Sequence, residues 1–236
     1  MKTLKKILIV VLVIIAIPLV MALCVPKEFK GESKDFNEDF ETGTQNLKTV
    51  LEAERSPDLD LKELASYYDK TYTNLVNSVK GLTDNQLHYK TASDRWSVAQ
   101  CVEHITLTAP KLFEFLKAAL DAPENPERKS EVEMKDEEIL ASITNRDYKA
   151  QASEDLQPAD HSAIDVDSRL EELKKYNATI LDYVEQYTMD GLRNRIMDAP
   201  FGAVDAYQFA LFIPGHTARH TLQIEEVKSD SGFPKN

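Results

Sequence analysis

Residues 205–229 read DAYQFALFIPGHTARHTLQIEEVKS. Phe209, Phe212, Ile213, His216, His220, Ile224 and Val227 recur there at three- and four-residue steps, the spacing that lines one face of an α-helix. The stretch predicts a helix from about Asp205 to about Ser229, bent at Pro214, which removes one backbone donor. The same period returns three times upstream. Leu61, Leu64, Tyr68, Tyr72, Leu75, Val79 and Leu82 form one stripe that ends at Gly81, and Val98, Val102, Ile105, Ala109, Leu112, Leu116 and Leu120 form a second. Ser97 and Gln100 are placed to make a capping box at the start of the second helix, with Trp96 and Cys101 as a hydrophobic staple. A third helix, from about Ser168 to Tyr187, presents Leu170, Leu173, Asn177, Ile180, Leu181 and Val184. Residues 121–166 between the second and third hold Pro123, Pro126 and Pro158, which break long helices and leave one short helix at Asp136 to Ile143. Strands are hard to find. From Leu59 onward the pattern predicts an all-α domain, an antiparallel four-helix bundle with a long crossover between helices two and three.

Composition narrows the function. The 236 residues carry 40 acidic against 28 basic side chains, a formal net charge of −12. A nucleic-acid partner is excluded on this balance, because the basic surface that gives such binding its electrostatic attraction is missing. Two cysteines, Cys24 and Cys101, are too few for a disulfide framework or a cysteine zinc cluster, so any metal would be held by histidine or carboxylate. Lys2, Lys5 and Lys6 precede an apolar run from Ile7 to Val25 that only Pro18 interrupts. As a helix the run would be about 28 Å long, close to a bilayer's hydrocarbon thickness. Residues 1–25 are therefore expected to be a signal peptide, with Ala22 near the cleavage point, or a membrane anchor with the domain on the outer side. Lipid attachment at Cys24 fits less well, since Leu23 stands where such signals carry a small residue. Either way the domain is expected to be exported, with the membrane as partner of the N-terminal segment. Residues 26–57 read as a polar tether.

The chemistry lies in what interrupts the stripes. At roughly 100° per residue, His216 and His220 sit about 40° apart, in the middle of the apolar face of helix four, and Gln223 shares that face. Two imidazoles side by side in hydrocarbon are costly unless each nitrogen finds a partner. Either each is hydrogen-bonded within the core, or the pair, about 6 Å apart at Cβ, converges on an ion. His104 lies on the flank of helix two with Cys101, Thr108 and Phe115, where it could turn inward as a third ligand and leave an open position for water or substrate. His88, in the turn before Trp96, and His161, in the crossover, are expected to be solvated.

Two segments together, WSVAQCVEHI at residues 96–105 and PGHTARHTLQI at residues 214–224, resemble the DinB/YfiT-like superfamily of metalloenzymes. The resemblance spans about residues 58–233, including Asn145-Arg146 and the closing Ile224-Glu225-Glu226-Val227. It implies a four-helix bundle of up-down-down-up topology. It also implies a divalent ion, zinc or nickel with iron or manganese as alternatives, held by His104, His216 and His220. The relatives include thiol-dependent S-transferases and an isomerase, so it leaves the reaction open between hydrolysis and S-transfer on a small-molecule substrate, with a homodimer as an option. Tyr68, Tyr72, Asn177 and Gln223 face inward and are candidates to line a pocket or orient a ligand imidazole. Neither Glu103 nor Glu225 points where a general base would be needed. A non-catalytic metal- or ligand-binding envelope module is the competing function.

Overall fold

A computed structural model of the chain describes residues 57–147, 151–158 and 164–235. Residues 1–25, expected to be an export or anchor segment, all but the last residue of the expected tether, and His161 lie outside them. Seven α-helices and one hairpin are described: α1 (Pro57–Val79), α2 (Asp84–Leu87), α3 (Val98–Asp121), α4 (Asp136–Thr144), α5 (Val166–Val184), α6 (Met189–Arg193), β1 (Ile196–Ala199), β2 (Gly202–Asp205) and α7 (Ala206–Lys228). Short 3₁₀ turns at Pro126–Glu131 and Glu154–Leu156 interrupt the crossover.

The long helices begin where their caps direct. The Ser97 side chain accepts from the Gln100 amide while Gln100 returns a bond to the Ser97 backbone, and Asp205 and Gln208 do the same for α7. Helix α1 stops at Val79, two residues before Gly81, which takes a positive φ of 75°. The expected all-α class needs one amendment, the two-stranded β1–β2 hairpin. Each strand has four residues, too few for an alternating pattern to show, and the hairpin's turn relies on Gly202 at φ 125°.

The four long helices α1, α3, α5 and α7 form the bundle, but they do not all alternate in direction. Lys228 Nζ donates to the Ser78 carbonyl at 2.9 Å, joining the C-terminal ends of α7 and α1, so these two run parallel. Thr106 Oγ1 donates to the Arg169 carbonyl at 3.2 Å near the starts of α3 and α5, and Lys117 Nζ meets Tyr183 Oη at 2.9 Å near their ends. That pair is parallel too. Helices α3 and α7 are antiparallel, since the Phe115 ring meets that of Phe209 at 5.7 Å while His104 meets His220 at 4.6 Å. The fully antiparallel bundle expected from periodicity is thus corrected to an up-down-down-up arrangement. The crossover has a physical cause: two parallel helices can be joined only if the chain travels back along the length of α3, about 36 Å.

The core runs between α1, α3, α5 and α7 through Leu75, Val102, Ile105, Leu173 and Ile224, with Cys101 buried among them. Tyr68 belongs to this core, and its hydroxyl donates to the carbonyl of Ala210 at 3.1 Å. Residue 214 would ordinarily donate to that carbonyl, but Pro214 has no N–H. Tyr68 therefore supplies the hydrogen bond the proline removes, inside a helix that continues without a break. Tyr68→Phe should cost about 1–3 kcal/mol of stability, since it leaves a buried carbonyl unsatisfied. Urea unfolding would show it, and a change below about 0.5 kcal/mol would mean the carbonyl finds water instead.

Candidate metal centre

His216 and His220 project from successive turns of α7, and His104 reaches them from the first third of α3. One ring nitrogen of each lies within 4.8 Å of those of the other two. The imidazole centroids are 4.5 Å apart for His216 and His220, 4.6 Å for His104 and His220, and 5.2 Å for His104 and His216. His104 and His220 are buried, whereas His216 keeps some solvent-facing surface.

The hydrogen bonds decide which nitrogens face inward. His104 Nδ1 lies 2.7 Å from the Leu156 carbonyl, which can only accept, so Nδ1 carries the proton and Nε2 keeps its lone pair. His220 Nδ1 is held in the same way by Gln223 Oε1 at 2.9 Å. The bare Nε2 of His220 then faces Nε2 of His216 at 3.1 Å. Two lone pairs at that separation repel unless a proton or a cation lies between them. Burial holds all three imidazoles below the ordinary histidine range. His216 is lowered further by His104 and Arg219, and His220 by His216 and His104. All three are therefore neutral at pH 7, the form in which imidazole binds a metal. Three converging neutral nitrogens, two with their outer N–H groups anchored, fit a divalent ion.

The surroundings keep this arrangement in place. The Trp96 ring lies 4.6 Å from that of His104 and 5.9 Å from that of His220. Helix α4 packs on α7 at Gly215, where a Cβ would come within 2.7 Å of Ile143 Cγ2, so only glycine admits that contact beside His216. Arg219 donates to the carbonyls of Ile143 and Asn145, and Arg146 pairs through two bonds of 2.9 Å with Glu226. At the other end of α4, Arg193 bridges Asp136 at 2.6 Å and Asp205 at 2.8 Å. Both ends of α4, and with them the start of the segment leading to Leu156, are tied to α7 or its cap.

The other candidates have partners of their own. Tyr68 is committed to Ala210, and half-buried Tyr72 packs against the core cluster, where desolvation and the nearby Glu171 raise its pKa. Asn177 is buried on the inner face of α5, and Gln223 is the one of the four bonded to a histidine of the cluster. His88 caps α2 and bonds to the Asp84 carbonyl at 2.9 Å, away from the cluster. Glu103 pairs with Arg169 at 3.4 Å and Glu225 with Lys228 at 2.7 Å, so neither is free to serve as a base. The Leu156 carbonyl was not foreseen, because a backbone group leaves no mark in the sequence. Trp96 was read as a staple although it also covers two imidazoles.

A family model described as the DinB superfamily matches residues 67–224, more than half of the chain and a span that contains all three histidines. The chain belongs to the DinB superfamily. The uncharacterized protein YuaE of Bacillus subtilis strain 168 is 25% identical over 166 residues, covering 69% of this chain and 96% of YuaE. Among solved structures, this DinB domain resembles YfiT from Bacillus subtilis, described as a probable metal-dependent hydrolase with an unusual four-helix bundle topology. The TM-score is 0.52 over 77% of this chain and 93% of YfiT, and at 16% identity the likeness speaks for the fold. Among the described residues of this DinB-superfamily chain, no helix is long and apolar enough to cross a membrane.

Proposed function

We propose that the protein is an exported, metal-dependent hydrolase of small molecules, with His104, His216 and His220 holding zinc or nickel. The observation that carries this reading is the convergence of three neutral imidazoles whose outer Nδ1 groups are anchored at His104 and His220. A divalent ion held by three neutral ligands keeps its full charge, so it can polarise a carbonyl and acidify a water or a thiol. Export rests on the Lys2-Lys5-Lys6 and Ile7–Val25 pattern. YfiT's description as a probable metal-dependent hydrolase favours water as the attacking group. The chain's own thiol in this core is not a competing nucleophile, because burial pushes Cys101 up to about 12.

The chain's residues have distinct duties. Leu156 and Gln223 hold the Nδ1 protons of His104 and His220 and so aim both Nε2 atoms inward. Trp96 shields two of the imidazoles from water. His216, the half-exposed member, marks the side from which a substrate would approach.

The purified full chain, stripped with a chelator, should take up one equivalent of Zn²⁺ or Ni²⁺. The loaded protein should then hydrolyse members of an ester and amide panel. Failure to bind a stoichiometric ion would sink the reading. Turnover of thiol–electrophile pairs alone would replace hydrolysis by S-transfer.

The depressed imidazoles also set a pH dependence. Unfolded histidines take up protons below about 6.5, whereas the folded ones resist until lower pH. Stability of the metal-free chain should therefore be complete above about pH 6.5 and decline as pH falls from there towards the folded values. Metal affinity should be nearly flat from pH 8 to about 6.5 and drop in more acid solution as protons compete for the same nitrogens. Urea midpoints and chelator competition across that range measure the two effects, and an affinity that falls steadily from pH 8 would contradict the depressed values.

A further inference from the structure

Beside the histidines runs a row of aromatic rings with no part in holding the ion. Phe115 of α3 meets Phe209 of α7 at 5.7 Å, Phe209 stacks on Phe212 at 5.6 Å, and Phe212 reaches the His216 ring at 6.4 Å. Phe209 is buried at 2% exposure and belongs to the core. Phe115, Phe212 and His216 instead each keep solvent-facing surface. A partly exposed aromatic ring, Phe212, that continues directly into the partly exposed imidazole of His216 gives an apolar wall at the approach to the site. Between Phe209 and His216 α7 carries no charged residue, and the chain's net charge is −12. Arg219, one turn beyond His216, is engaged by the carbonyls of Ile143 and Asn145, so a negatively charged substituent beside Phe212 would find no counter-ion between Phe209 and His216.

We infer that Phe212 forms the substrate subsite next to His216 and selects an uncharged aromatic or comparably bulky apolar substituent on the reacting compound, with Phe115 further from the cluster at the other end of the aromatic row. This rests on the metal-dependent hydrolase reading and adds the substrate class to it. Phe209, fully packed beneath, fixes the plane of the wall. A substrate bound at the histidine cluster from the His216 side would lay its substituent along Phe212, whereas Phe115, eleven residues from His104 and so about 16 Å along α3, lies beyond the reach of a single ring.

Hydroxamates test this without requiring turnover, since they chelate the ion through one constant head group and vary only in the substituent. The zinc-loaded full chain would be titrated calorimetrically with benzohydroxamate and acetohydroxamate. The wild type should prefer the phenyl compound by at least about tenfold. Phe212→Ala should reduce that ratio by at least about threefold while leaving zinc stoichiometry unchanged, and Phe115→Ala, too far along α3 to touch a single ring, should leave the ratio as in wild type. Phe212→Leu, which keeps bulk and packing but removes the ring, should fall between and guards against loss of fold. If both compounds bind and the ratio is the same in wild type and the Phe212 variants, the subsite assignment is overturned while the metal centre stands. If zinc binds but neither hydroxamate does, the centre has no open position, and the hydrolase reading falls together with the inference. If zinc itself fails to bind, the metal centre is wrong and both readings fall with it.

Discussion

Replacing His216 with alanine should weaken zinc or nickel binding by at least about a hundredfold, with little change in the melting temperature of the metal-free chain. Outer partners of metal ligands typically contribute 10–100-fold to affinity, and a direct ligand must exceed them. Gln223→Leu supplies the internal comparison. It frees the Nδ1 of His220 but removes no ligand, so it should lose about 10–100-fold. The small effect on the metal-free chain follows from the geometry. His216 is the partly exposed member of the cluster, and in the metal-free chain its Nε2 makes one hydrogen bond of 3.1 Å to that of His220, so the alanine variant loses a single net hydrogen bond and the packing of a half-buried ring. Competition with a chromophoric chelator measures the first effect and calorimetry the second. A His216→Ala protein that binds zinc as tightly as wild type removes this residue from the ligand set.

The second large effect lies at the far end of α4. Arg193 joins Asp136 and Asp205, both of which are buried, and its guanidinium also lies 4.3 Å over the ring of Tyr207. Arg193→Met keeps most of the aliphatic length but leaves two carboxylates close together without their cation. Removing one partner from a buried ionic group costs about 3–5 kcal/mol, because the remaining charge is neither solvated nor paired. Burial already raises the pKa of Asp205 despite the opposing pull of Arg193. Without Arg193, protonation in acid relieves the strain, so the destabilisation should be largest near neutrality and shrink below about pH 5. Adding Asp136→Asn and Asp205→Asn to Arg193→Met should recover much of the loss, since asparagine still caps α7 and carries no charge. Urea unfolding of wild type, single and triple variants decides it. Equal instability of the single and triple variants would mean that shape, and not charge, holds α4 in place.

Much of this molecule was readable from local chemistry. Ser97 with Gln100 makes a capping box by interactions that span three residues, so the start of α3 could be placed to within a residue, and the apolar period alone put the start of α7 near Asp205. The pairing of His216 with His220 follows from helical spacing alone, and the flank position of His104 pointed towards them. Helix direction is different. A hydrophobic stripe tells which face a helix buries but not which way its neighbour runs, so periodicity could not separate the parallel α3–α5 pair from an antiparallel one. The family resemblance carried that information instead. The hairpin escaped because its strands are four residues each, and the Leu156 carbonyl because any residue at that position could supply it.

The pairing of α1 with α7 also bears on how the chain is made. These helices lie side by side although Val79 and Ala206, the end of one and the start of the other, are separated by most of the domain. Contacts of such long sequence separation require closure of a large loop before they return any free energy, which slows folding relative to bundles of sequential hairpins. A ribosome releasing this protein from its N-terminus would hold α1 without its main partner until the final helix emerged, with the apolar face of Leu64, Tyr68 and Leu75 meanwhile uncovered. His104, His216 and His220 would meet only at that last step, so uptake of the ion would serve as a readout of completed synthesis and folding.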